Sequence, residues 1–286
     1  MPRFAANISM MFPDLPVAER MRAVRDLGFS AVEFLAPYSD PAAETRRWLD
    51  DTGVRMILLN TPPGDAANGE RGLAAVPGRQ ADFRDHFETA LEYALALDVP
   101  MIHVLAGIVA NDDRKAARST FVENVRFAAD RAAGHDIRIL LEPLNSQDTP
   151  GYFLTRTNEA RHCIEAIERE NVRLQFDFYH RQIMEGNLAR RLADSLDVIG
   201  HIQFSSVPGR HEPQHGEVNL PYLFDLCDAL GYDGWIGCEY RPKTTVVDGL
   251  TWGKPYGLGT RQAATLTATR RRRGRMARSR PAGCRG

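Results

Sequence analysis

Cysteine is scarce in this chain of 286 residues, and Cys163, Cys227, Cys238 and Cys284 lie far apart. No two form a C-x-x-C pair, which excludes a zinc knuckle or a dithiol redox motif of that kind. Reduced thiols in a cytoplasmic protein are the expectation. No stretch approaches the roughly 18 consecutive apolar residues of a membrane span, so no membrane partner is expected. The start, Met1-Pro2-Arg3-Phe4, runs straight into a strand-like segment, with no secretory apolar region. Neither a G-x-G-x-x-G loop after the first strand nor a Gly-rich P-loop is present, which argues against a dinucleotide or nucleoside-triphosphate fold.

Acidic residues stop at Asp248, and residues 260–286 hold nine arginines, four of them consecutive at Arg270–Arg273. Without that tail, residues 1–259 carry 27 basic against 37 acidic groups, a net charge of −10. An acidic body repels a phosphate backbone, so no nucleic-acid partner is expected. The abrupt change divides the chain into a folded body, residues 1–259, and an Arg-rich tail, residues 260–286. The tail lacks apolar periodicity and is read as disordered.

Within the body, eight short apolar runs alternate with segments of helical period. The runs are residues 4–8, 31–34, 54–59, 101–105, 137–141, 172–176, 198–204 and 235–238. Several are almost continuously apolar, as strands covered on both faces must be. Between them, Val17, Met21, Val24 and Leu27 recur at helical spacing, as do Phe83, Phe87, Ala90, Leu91 and Ala94, and Leu220, Leu223, Phe224 and Cys227. Asp40-Pro41 has the form of an N-cap followed by proline in the first turn. Gly28, Gly53 and Gly231 stand where helices stop. Eight such units predict a single (β/α)8 TIM barrel of the α/β class, in preference to an open doubly wound sheet. Residues 60–79 form an unusually long connection, expected to overhang the active-site face.

Barrel enzymes hold their chemistry at the carboxyl ends of the strands. Four runs end there in polar residues: Glu142 in LLEP, Asp177 in QFD, Gln203 in HIQF and Glu239 in GCE. The intervals of 35, 26 and 36 residues each match about one strand–helix unit, so all four should meet at one rim. Three converging carboxylates repel unless a cation neutralises them or their pKa values rise. Four oxygen donors suit Mg²⁺ or Mn²⁺ better than zinc. His180, three residues past Asp177, is a candidate for a second metal or a substrate hydroxyl. His103 and His201 are read as satisfied core histidines. Arg71 and Arg210 are candidates to grip a substrate carboxylate.

FAANISMMF, NTPPGDAANGERG, LLEPLN, QFDFYHRQIMEG, GHIQFSSVPGRHEP and GWIGCEYRP, in that order, resemble the xylose isomerase-like barrel superfamily. Within it they are most similar to the hydroxypyruvate isomerase family and its relatives, the 2-oxo-tetronate isomerases. The likeness runs from about Arg3 to Gly257. It implies an isomerase that interconverts hydroxypyruvate and tartronate semialdehyde through an enediolate, with a small 2-oxo acid as substrate. By motif match Glu142 and Glu239 donate and accept the proton. The resemblance implies that Glu142, Asp177, Gln203 and Glu239 hold a divalent metal, Mg or Mn. His180, Arg71, Arg210, Asn7 and Asn60 bind substrate, and a homo-oligomer is implied by analogy. The alternatives are a 2-oxo-tetronate isomerase and a ketose 3-epimerase, the latter disfavoured by Gln203. An apurinic-site endonuclease is also disfavoured, because Asn60 and Gln203 stand where it would carry histidines. The non-enzymatic alternative is a binding module on the same barrel.

Overall fold

The computed structural model describes residues 1–259; the Arg-rich tail expected to be disordered lies outside the described residues. Eight parallel strands close into a barrel in sequential order. They are β1 (Arg3–Asn7), β2 (Ala31–Glu33), β3 (Arg55–Asn60), β4 (Met101–His103), β5 (Arg138–Leu141), β6 (Val172–Asp177), β7 (Ile199–Phe204) and β8 (Trp235–Cys238). Helices α1 (Val17–Asp26), α2 (Ala42–Thr52), α3 (Gln80–Leu97), α4 (Arg114–Ala132), α5 (Thr157–Ile167), α6 (Phe178–Met184), α7 (Leu188–Ser195), α8 (Leu220–Ala229) and α9 (Val246–Gly249) lie along the connections. None of the described helices is long and apolar enough to cross a membrane.

Every expected apolar run is a strand, shifted at its ends by one or two residues. The fourth stops at His103 because Leu105 turns its N–H to the Thr61 hydroxyl, leaving the ladder. At α2 the expectation fails in detail. Pro41 is itself the cap residue, in an extended conformation, and Asp40 instead accepts from the Ser39 hydroxyl. The stop at Gly53 is as expected: its φ of 67° is a conformation glycine adopts without the Cβ penalty, and its N–H closes the helix on the Leu49 carbonyl.

Side chains alternate across a strand, so residues two apart share the barrel interior. Toward the amino ends that interior is apolar, with Ala5, Ala31, Leu58, Met101 and Leu140 in one cluster. Two residues further along β1, β2, β4 and β5 it becomes polar. Asn7, Glu33, His103, Glu142, Asp177, Gln203 and Glu239 are all buried there. The outward faces of β1 and β7 pack on aromatic rings. Phe4 and Phe204 meet Phe224 at 5.0 and 4.8 Å and Trp252 at 5.0 and 5.2 Å, edge to face. Trp252 lies in the 3₁₀ segment Leu250–Tyr256, which thus seals the barrel where its helical ring ends.

The long connection at residues 60–79 is built, not loose. Asp65 caps a 3₁₀ turn at Ala66–Asn68, and Arg79 pairs with Glu70 at 2.5 Å. Gly72 lies so close to β4's exit that a Cβ there would sit 2.3 Å from the Leu105 carbonyl oxygen. This backbone-on-backbone contact pins the connection over the mouth, where the sequence places it.

Candidate active site

The ends of β5, β6 and β8 bring Glu142, Asp177 and Glu239 together. With His180, each offers one ligand atom, and these atoms all lie within 4.8 Å of one another. All four residues are buried. Asp177 ends β6 and also caps α6, accepting the Tyr179 N–H at 2.8 Å with Oδ1, so Oδ2 is turned away from the helix. Glu239 is met by Arg210 at 2.5 Å. Arg210 reaches it from a turn in which its own φ is 53°, and its guanidinium lies 4.9 Å above the Tyr179 ring.

Burial pushes the Glu142 carboxyl well above its ordinary value, and the charges of Glu239 and Asp177 push it further. Burial likewise raises Glu239 to about 7 and Asp177 to about 6, against the opposing charge of Arg210. Burial lowers Arg210, but Glu239, Asp177 and Glu142 more than offset this and hold it charged. Three buried carboxylates met by one paired guanidinium, Arg210, favour a further positive charge.

Several buried atoms at this rim have no partner among the described residues: Glu142 Oε1, Asp177 Oδ2, His103 Nε2, Asn60 Oδ1 and Arg210 Nε. Orphaned polar atoms are rare in folded proteins and point to a ligand or ion. The three carboxylates fit a hard divalent cation, since their oxygens are its preferred donors. His180 is different. The Asn145 backbone N–H, which can only donate, lies 3.1 Å from His180 Nδ1, and the Asn145 side-chain nitrogen lies at 2.8 Å. Nδ1 is therefore an acceptor. Burial pushes the ring's pKa well below its ordinary value, so the neutral ring carries its proton on Nε2. That N–H faces Asp177 Oδ2 at 3.6 Å and Glu142 Oε1 at 4.0 Å. His180 presents a donor to the centre of the site, as a substrate oxygen requires. Asn145→Ala keeps the backbone N–H, and so the tautomer, but removes the second donor at Nδ1. It should loosen the ring and lower kcat by roughly 10-fold, with a modest fall in melting temperature because Asn145 Oδ1 also accepts the Gln147 and Asp148 N–H. Steady-state kinetics beside a thermal melt would check it.

The remaining expected residues divide. Asn60 ends β3 beside His103 in register, with its orphaned Oδ1 buried at the rim. Asn7 is buried and occupied: it donates to Glu33 at 3.0 Å and accepts the Ser9 N–H. Gln203 is also occupied, donating to Glu33 at 2.9 Å and accepting from Gln175 at 2.6 Å, though its carbonyl oxygen keeps a second lone pair. Arg71 is exposed and bonds to the Glu70 and Ala66 carbonyls of its own loop, so no described contact joins it to the carboxylates. His103, read as a satisfied core residue, is not one. Its Nδ1 faces Glu142 at 3.5 Å, its Nε2 is unpaired, and burial lowers its pKa to about 3. His201 is a core residue held through Nε2 by Glu33 at 2.5 Å, but its Nδ1 too has no partner, so it is only half satisfied. Two residues escaped the sequence reading: Glu33, hidden inside an apolar run, and Asn145, which stands in the LLEPLN motif without an assigned role.

A closed parallel barrel with acidic side chains converging at its carboxyl rim defines an enzyme that handles protons or a cation at that rim. The chain belongs to the xylose isomerase-like TIM barrel family, whose model matches residues 21–256. It is 51% identical to 2-oxo-tetronate isomerase of Cupriavidus necator, over 90% of this chain and 99% of that protein. It is 41% identical to hydroxypyruvate isomerase of Escherichia coli, over 90% of this chain and all of that protein. Like these relatives, it is an isomerase. Among solved structures, one described as AP endonuclease, family 2 from Brucella melitensis superposes with a TM-score of 0.88 at 48% identity, covering 90% of this chain and 99% of that one.

Proposed function

We propose that the protein isomerises a small 2-oxo acid by moving a proton between adjacent carbons, with hydroxypyruvate and tartronate semialdehyde as the simplest pair. The observation that carries this is the meeting of Glu142 and Glu239 beside an N–H donor and a charged guanidinium. Arg210, whose Nε has no partner, grips the substrate carboxylate. His180 Nε2–H donates to the oxygen on which negative charge develops. One glutamate takes the proton from the carbon beside the carbonyl, leaving an enediolate. The other returns a proton to the former carbonyl carbon, while the hydroxyl proton passes from its own oxygen to the former carbonyl oxygen. Glu142, Asp177 and Glu239, joined by Gln203, would hold a divalent ion, Mg²⁺ or Mn²⁺, which would supply positive charge to stabilise the enediolate. The net charge of −10 on residues 1–259 speaks against a nucleic-acid substrate, and a cytoplasmic place fits the unpaired thiols of Cys163, Cys227 and Cys238.

A second reading differs by one carbon. The higher identity to 2-oxo-tetronate isomerase, 51% against 41%, favours the four-carbon acid as the better substrate. Turnover of both acids by the purified full chain, with and without EDTA, tests the proposal. Activity on either supports the chemistry, and the ratio of kcat/KM assigns the chain length. No turnover of either acid with Mg²⁺ or Mn²⁺ added would overturn it.

A further inference from the structure

We infer that Glu33 is a positioning residue for the cation site: it fixes which end of the Gln203 amide faces the carboxylates. The inference rests on the reading above that Gln203 joins that site.

Glu33 is on β2 and Gln203 on β7, with β8 and β1 between them. Their bond therefore crosses the barrel interior. Both side chains are wholly buried. Glu33 Oε2 accepts from Gln203 Nε2 at 2.9 Å and from Asn7 Nδ2 at 3.0 Å, while Oε1 faces His201 Nε2 at 2.5 Å. The crossing needs an empty place on β8. Gly237 provides it, for a Cβ there would lie 1.9 Å from Glu33 Oε1.

A carboxylate accepts and cannot donate. The nitrogen end of Gln203 must face Glu33, and its oxygen must face away. That oxygen receives one hydrogen from Gln175 Nε2 and retains a second lone pair. Gln203 pairs in register with Asp177, so the two side chains leave neighbouring strands at the same level of the barrel. Turning the amide end for end would set oxygen against Glu33, set NH₂ against the Gln175 NH₂, and offer hydrogens to a cation. Glu33 thus makes an ambiguous side chain into an oxygen donor. A buried acid with these bonds is otherwise a costly presence in a barrel core.

The test is Mn²⁺ affinity of the purified full chain, read from the electron paramagnetic resonance signal of free Mn²⁺, in a double-mutant cycle. Glu33→Ala should weaken binding roughly 10- to 100-fold with an unchanged circular dichroism spectrum. In the background of Gln203→Glu either end of the side chain is an oxygen, so orientation no longer matters. There the Glu33→Ala effect should shrink to within about twofold. Unchanged affinity of Glu33→Ala would overturn the inference. So would an equal loss in both backgrounds, which would mark a general charge or packing effect. Should Glu33→Ala not fold, Glu33→Met fills the space without an acceptor and should show the same dependence on background; its absence would equally overturn it. A wild-type chain that binds no Mn²⁺ would overturn the cation reading together with this inference, a signature distinct from the other two.

Discussion

Glu142→Gln should lower kcat by roughly 10²- to 10⁴-fold at saturating divalent ion, the range expected when a proton-transferring group is removed. The same substitution should leave the metal-free protein at pH 8 at least as stable as the wild type. The two effects together are diagnostic. Glu142 is buried against Glu239 and Asp177, and its ionised form is disfavoured by burial first and by those charges next. An amide of the same shape removes the repulsion. A carboxylate retained for structure would give the opposite pattern, with lost stability and lesser loss of rate. Glu185 is such a case: it is buried with Arg181 at 2.9 Å and held below its ordinary pKa. Kinetics and thermal melts on Glu142→Gln and Glu185→Gln, side by side, would separate the two classes.

Metal-free protein should become more stable as the pH is lowered from 8 towards 6.5; below that, His103 and His180, kept neutral by burial, lose stability in acid and oppose the carboxylates. Glu239 titrates at about 7 and Asp177 at about 6, against ordinary values of 4.5 and 3.8. Between the unfolded and folded values the native state binds more protons than the unfolded chain, so stability falls as pH rises through that window. The sign is opposite to that of a salt-bridged carboxylate, which loses stability in acid. Mn²⁺ or Mg²⁺ should reverse the trend, because the cation binds the ionised carboxylates and stabilises the folded state by mass action. The melting temperature should rise on adding the ion at pH 8 and rise much less at pH 5. Melts across pH with EDTA and with Mn²⁺ would show both slopes. A metal-free melting temperature that climbs from pH 6.5 to 8, where the neutral histidines no longer oppose the trend, would contradict the convergence of carboxylates.

The features legible from sequence were those fixed by periodicity. Apolar runs of strand length, spaced by one helix, specify a closed parallel barrel, and a polar residue ending such a run lies at the rim. Glu142, Asp177 and Glu239 needed no more than that. Glu33 was not legible because β2 is three residues long and its neighbours Val32 and Phe34 are buried too. A single acid in such a run gives no period to read. Arg71 and Arg210 looked equivalent as loop arginines. They differ through local backbone: Arg210 is turned to Glu239 from a φ of 53°, while Arg71 bonds its own loop. Neither direction is written in residue type. The role of His180 depends on a hydrogen bond to a backbone N–H 35 residues away, which only the folded chain supplies.

The central claim is proton transfer by two different glutamates, and running the reaction in D₂O tests it most directly. The proton removed by one carboxylate is not the one returned by the other. The product should therefore carry solvent deuterium on the former carbonyl carbon from the first turnover, seen as a lost ¹H signal in the NMR spectrum. Product formed in D₂O with no deuterium at that carbon would mean that the hydrogen passed directly between the carbons or was carried by one shielded carboxylate, and either would contradict the mechanism built on Glu142 and Glu239.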